Sequence, residues 1–181
     1  MKSLLLVLFI PLPVIANAAE FSKVQADRSS IIFVSKQMSV PVEGAFRKFT
    51  AQVRINPAKP EAGMAHIAIE LASIDAGSAE ANDEVKGRSW FNVTEFPKAE
   101  FVSTSVKALG GGRFEATGRM TIKGKSMEVR APFMLKEDKG VLDVVGEFPL
   151  KRLDFGIGSG LWSDTSVVAD DVKIKFHLIL K

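Results

Sequence analysis

The sequence contains no cysteine, no tyrosine and only two histidines, His66 and His177. Without cysteine there are no disulfides, thiol nucleophiles or sulfur-ligated metals. A zinc or haem site would need both histidines plus carboxylates. Each histidine instead keeps phase with the polar positions of its segment, which predicts a solvated surface residue.

Catalytic signatures are equally scarce. There is no Gly-x-Ser-x-Gly elbow, and Lys123-Gly124-Lys125-Ser126 lacks the spacing of a phosphate loop and reads as a hairpin turn. Asp154, Asp164, Asp170 and Asp171 invite a paired-carboxylate reading. They stand beside loops, however, where aspartate caps and turns the backbone. No catalytic residue, metal or cofactor is expected, and the protein is read as not an enzyme. Charge of one sign is lacking too. The 24 basic and 21 acidic residues leave only +3, so no nucleic-acid partner is expected.

The one long apolar run is Leu4–Ile15, after Met1-Lys2 and before the small-x-small site Ala16-Asn17-Ala18. About a dozen apolar residues are too few to span a bilayer core. The pattern predicts a Sec-type signal peptide over residues 1–18, cleaved on export to the periplasm. Residues 20–181 then form a single domain, long enough to bury a sizeable core.

What the sequence does have is alternation. Phe114, Ala116, Gly118, Met120 and Ile122 occupy every second place, and the phase resumes after Gly124-Lys125 with Met127, Val129, Ala131, Phe133 and Leu135. Period two marks half-buried strands, and the intervening turn makes a hairpin. Further strands are predicted at Ser30–Ser35, Val42–Ile55, His66–Leu71, Glu100–Leu109 and Gly140–Phe148, and a short one is read through Leu153, Phe155 and Ile157. The last runs from Val172 to Leu180. Ser78–Trp90 reads as the one helix, with Ser78 as N-cap and Gly87 marking its end or fraying. About eight antiparallel strands can close as a sandwich or a barrel. By pattern alone the apolar face either fills a core or walls a ligand cavity.

Several motifs follow one another along the chain. They are Val42-Glu43-Gly44-Ala45-Phe46 followed by Phe49, Trp90-Phe91, and Phe96-Pro97-Lys98-Ala99-Glu100-Phe101. Gly118-Arg119-Met120-Thr121-Ile122-Lys123-Gly124 and Leu153-Asp154-Phe155-Gly156-Ile157 complete the set. In this order they resemble the YceI-like family of periplasmic lipid-binding proteins. Two family positions differ. Ser29 stands where many members carry histidine near the first strand, and Asn82-Asp83-Glu84-Val85 stands where many carry Arg-Asp-x-His. Head-group contacts made by those histidines therefore do not carry over.

The resemblance implies an all-β, lipocalin-like extended antiparallel barrel of about eight strands with one short helix, enclosing an apolar tunnel. It implies a bound long-chain isoprenoid lipid of polyprenyl pyrophosphate or prenyl-quinone type. Candidate tunnel-lining residues are Phe33, Val53, Ile67, Ile69, Phe101, Met120, Ile122, Phe133, Phe155 and Phe176, with Trp90, Phe91 and Trp162 closing an end. Transient contact with a membrane or a membrane redox protein fits this picture, and the oligomeric state stays open, a dimer included. The alternatives are a filled interaction or stress-response module and, less well matched, an outer-membrane barrel. The latter calls for aromatic girdles facing lipid, whereas this chain has no tyrosine and alternates Lys and Arg on one face.

Overall fold

The structure, a computed structural model, describes residues 20–181, so the predicted signal peptide lies outside the described residues. Ten strands make one antiparallel sheet: β1 (Ser30–Gln37), β2 (Val40–Phe46), β3 (Phe49–Arg54), β4 (Met64–Glu70), β5 (Ile74–Asp75), β6 (Lys98–Gly110), β7 (Arg113–Ile122), β8 (Lys125–Asp138), β9 (Val141–Lys151) and β10 (Asp171–Leu180). Their order is β3-β4-β6-β7-β8-β9-β10-β1-β2-β5.

Tight left-handed turns set the hairpin registers. Lys123 and Gly124 both have positive φ (50° and 73°), as do Lys139 and Gly140 (48° and 75°). That is the geometry whose twist matches paired strands. Across the β7–β8 ladder Phe114 faces Phe133, Ala116 faces Ala131 and Met120 faces Met127. The rings of Phe114 and Phe133 stack at 5.5 Å. The alternating residues of β7 are buried as the sequence predicts.

The sheet curls into a barrel-like shell whose seam is stitched at both ends. At one end β5 pairs with β2, and Arg47 N–H donates to Ser73 O while Glu70 N–H donates to Lys48 O. At the other, Phe21 exchanges two backbone hydrogen bonds with Ile55, and Lys23 exchanges two with Lys181. The seam between the first and last strands is thus tied at its two ends, which limits the edge left to pair with other chains.

Four sequence expectations need correction. The predicted strand Val42–Ile55 is two, β2 and β3, broken at Arg47-Lys48. There the chain turns a corner and changes ladder partner, from β1 to β4. With the two-residue β5, this break raises the count from about eight to ten. The helix α1 (Ala79–Lys86) is capped by Ser78, whose Oγ accepts from Ala81 N–H at 3.1 Å. It stops at Lys86, because Gly87 leaves the helical conformation, and does not reach Trp90. Leu153–Phe155 is a 3-10 turn rather than a strand. The Asp170 carboxylate accepts Leu153 N–H at 2.9 Å, and Gly156 takes φ +68°, so the chain coils where an alternating strand was expected. Finally, His66 is half-buried, with its Nε2 covered and unpartnered, because Gln52 and Val102 flank it on the two adjoining strands.

Candidate functional site

The interior is not filled. Two apolar hollows share Ile69, Ala99, Met120 and Ile174 in their walls, so they meet at a waist midway along the barrel. The narrow chamber, about 100 Å³, is walled by β1, β3, β4 and β6–β10. The wide chamber, about 500 Å³, lies below α1 and the loops at the other end. Its rim carries the exposed residues Lys36, Gln37, Glu80 and Glu84. The Glu80 carboxyl is held below the usual carboxylate range by its own backbone N–H and by Ser78.

Nine of the ten residues proposed as tunnel lining stand in the walls of these hollows. Val53, Ile67, Phe101, Phe133 and Phe176 face the narrow chamber, Phe33 and Ile122 the wide one, and Ile69 and Met120 the waist. Trp90, Phe91 and Trp162 line the wide chamber together at its loop end, with the two indole rings 5.4 Å apart. Phe155 is the exception. It is buried in the core behind the wall, because the 3-10 turn carries its ring away from the cavity.

Glycines make room for the wall aromatics. Phe33 lies across the ladder from Gly44, and a Cβ on Gly44 would stand 2.2 Å from Phe33 Cζ. The same bare-backbone seat serves Phe101 beside Gly118, at 2.5 Å.

Sequence reasoning missed Arg152, the one buried charged side chain among the described residues. All five guanidinium N–H groups are spent on carbonyls. Nε donates to Ala169 O, Nη1 to Ile157 O and Gly158 O, and Nη2 to Trp162 O and Val168 O, over 2.7–3.1 Å. The charge also sits over the Trp90 ring, 5.6 Å from its centroid, a favourable cation–π placement. Burial lowers its pKa and Asp170 opposes the shift, but a guanidinium stays charged. Arg152 therefore frames the loop 157–169 and has no donor left for a ligand. The signal was Gly158, whose φ is +76° and whose missing side chain leaves space for Nη1, 2.2 Å from where a Cβ would be.

The Lys123-Gly124 turn also does more than reverse the chain. Lys123 Nζ donates to Arg88 O and Gly156 O, both at 2.9 Å, and Lys125 Nζ donates to Asp154 O at 3.2 Å. Desolvation, with Lys125 adding repulsion, pushes the Lys123 amine down. The hairpin thereby pins the two loops that roof the wide chamber. The acidic residues serve structural roles: Asp170 and Asp171 flank Lys151 Nζ at 3.7 and 3.5 Å, Asp154 is exposed, and Asp164 accepts from Ser166 in its own turn. His177 Nε2 lies 2.7 Å from Asp143 on the neighbouring strand.

Comparison with known proteins now decides the family. Residues 23–180 match the model of the YceI-like domain. The chain belongs to the YceI-like family. Among solved structures it resembles Burkholderia cenocepacia BcnA, with 44% identity over 88% of this chain and 100% of that one, and a TM-score of 0.86. A polyisoprenoid binding domain from Saccharophagus degradans, at 16% identity, covers 91% of this chain and 99% of its own at a TM-score of 0.68. That likeness shows the shared YceI-like fold. A UPF0312 protein of Azotobacter vinelandii is 33% identical over 125 residues, and the chain spans about 65% of that curated relative's length. Family and structure together give this chain the YceI-like, lipocalin-like fold, with an unfilled apolar interior.

Proposed function

We propose that this protein is a non-enzymatic periplasmic carrier that holds a long-chain isoprenoid lipid, of polyprenyl pyrophosphate or prenyl-quinone type, in the two-chambered tunnel. The observation that carries the reading is that inward-facing apolar side chains such as Phe33, Ile69, Phe101 and Phe176 remain only half-covered around contiguous voids. An unfilled apolar cavity costs about 24 cal/mol per Å³. The narrow chamber alone then costs on the order of 2 kcal/mol when empty. A ligand tail recovers that loss.

Tail length follows from the same arithmetic. Each buried CH2 contributes about 0.8 kcal/mol, while association costs about 4–15 kcal/mol. About ten carbons barely offset that cost, whereas several prenyl units exceed it without a charged anchor. The Saccharophagus domain's description as polyisoprenoid-binding agrees with this ligand class.

Trp90 and Trp162 both line the wide chamber, so their fluorescence reports occupancy. Titration with a prenyl-quinone of several isoprene units is expected to quench it saturably at one ligand per chain, and a matched polyprenyl phosphate is expected to compete. Linear, unsaturable quenching would refute the proposal.

A further inference from the structure

The three most exposed large apolar side chains among the described residues are Leu161 (96% exposed), Met38 (68%) and Val40 (62%). Met38 and Val40 flank one tight turn, and the distant Leu161 is brought beside that turn at the mouth of the wide chamber. Gln37 bridges Val168, and Met38 N–H donates to Val167 O at 2.8 Å, which fastens the β1–β2 tip to the loop 157–169. The two Nη2 protons of Arg152 go to Trp162 O and Val168 O, both at 2.7 Å, which brings the segment bearing Leu161 beside that tip. The display is also rigid. Met38 and Ser39 hold left-handed backbone at φ 47° and 67°, a turn that fixes where Met38 projects, and all five Arg152 bonds brace the other loop.

We infer that this end of the barrel is a docking surface for a lipid bilayer, through which the ligand enters and leaves. The inference rests on the lipid-carrier reading for its purpose: an isoprenoid tail resides in a membrane, so the chamber that takes it must meet one. Leu161 adjoins Trp162, which lines the chamber, so the apolar tips are continuous with the tunnel wall. Clustered exposed apolar residues at a cavity rim mark an interaction site, and a tryptophan beside them suits the bilayer interface. Charge around the mouth is mixed: Glu80, Asp83 and Glu84 are exposed on α1, and Lys36 stands beside the β1–β2 tip. The three carboxylates outnumber the one cation there, so an anionic surface gains nothing and docking is apolar.

Flotation of the purified protein with phosphatidylcholine vesicles tests this. The wild type is expected to float with neutral vesicles, with no gain on adding phosphatidylglycerol. The double variant Met38→Asp, Leu161→Asp is expected to lose vesicle binding by about tenfold or more. Met134→Asp, an equally polarising change at an exposed residue of β8, is expected to leave flotation unchanged. Wild type that fails to float, floats only with anionic vesicles, or floats equally well as the double variant overturns the surface. Equal loss in Met134→Asp also overturns it, since the effect would then be general. Quinone titration of the same samples scores the carrier reading separately: a double variant that binds quinone but not vesicles supports both, and a wild type that floats but binds no lipid overturns the carrier reading alone.

Discussion

Gly146 faces Phe176 across the β9–β10 ladder, and the phenylalanine ring lies over the bare glycine, where an added Cβ would stand 2.4 Å from Phe176 Cζ. Pro132 O, at 2.4 Å from the same point, blocks retreat the other way. Gly146→Ala is therefore expected to drive the ring into the narrow chamber at a cost of about 2 kcal/mol, lowering Tm by roughly 4–8 °C. Adding Phe176→Leu to that variant is expected to recover part of the loss by removing the clash. Thermal unfolding of the three variants checks it.

Ala99 stands at the waist between the two chambers, opposite Ile69 on β4. Ala99→Phe places a ring in a void rather than in packed core, so Tm is expected to move by no more than about 4 °C. The tunnel is nonetheless cut in two. Binding of long prenyl-quinones is expected to fall by about tenfold or more while short ones, confined to the wide chamber, are retained. Titration across a chain-length series checks this; equal loss at every length would contradict a through-running tunnel.

Arg152 holds five carbonyls that have no other donor of comparable strength. Hydrogen bonds to a charged donor contribute about 1.5–3 kcal/mol each, though not additively. Arg152→Met is expected to cost about 3 kcal/mol or more, with faster amide exchange across residues 157–168. Arg152→Lys is expected to restore only part of it, because an ammonium cannot reproduce the fork.

Asp75 pairs with Arg47 at the corner where β5 closes on β2. The Arg47 guanidinium, helped by Gly77 N–H, holds the Asp75 carboxyl below its ordinary range. A carboxyl lowered in the folded state stabilises fully above its unfolded pKa and loses that contribution as pH falls through the folded value. Asp75→Asn is thus expected to lower Tm at pH 7, and the gap from wild type is expected to close as pH drops below about 3.9. Paired melting curves across pH check the sign.

Much of this architecture is legible in the sequence, for a physical reason: a strand buried on one face writes period two into its residues, and β7 and β8 do so without interruption. Even the break between β2 and β3 is written there, since Phe46 and Phe49 are three apart and the apolar phase slips by one. The turn at Leu153–Phe155 misleads because Leu153, Phe155 and Ile157 keep period two while Asp170 and Gly156 bend the backbone. Arg152 is hidden for another reason. Its partners are all main-chain carbonyls, which leave no mark in residue type. The wall residues were visible as an apolar phase, but whether they pack or enclose space depends on how far the sheet curls, which is a property of the closed shell.

The central claim is that the two chambers together hold one long isoprenoid lipid. Native mass spectrometry of the protein after gentle extraction tests it most directly. The expected result is an adduct of one lipid per chain whose fragments show a repeating isoprene unit, lost on delipidation and restored on adding a prenyl-quinone. A folded protein that carries no such adduct and takes none up on addition would contradict the account.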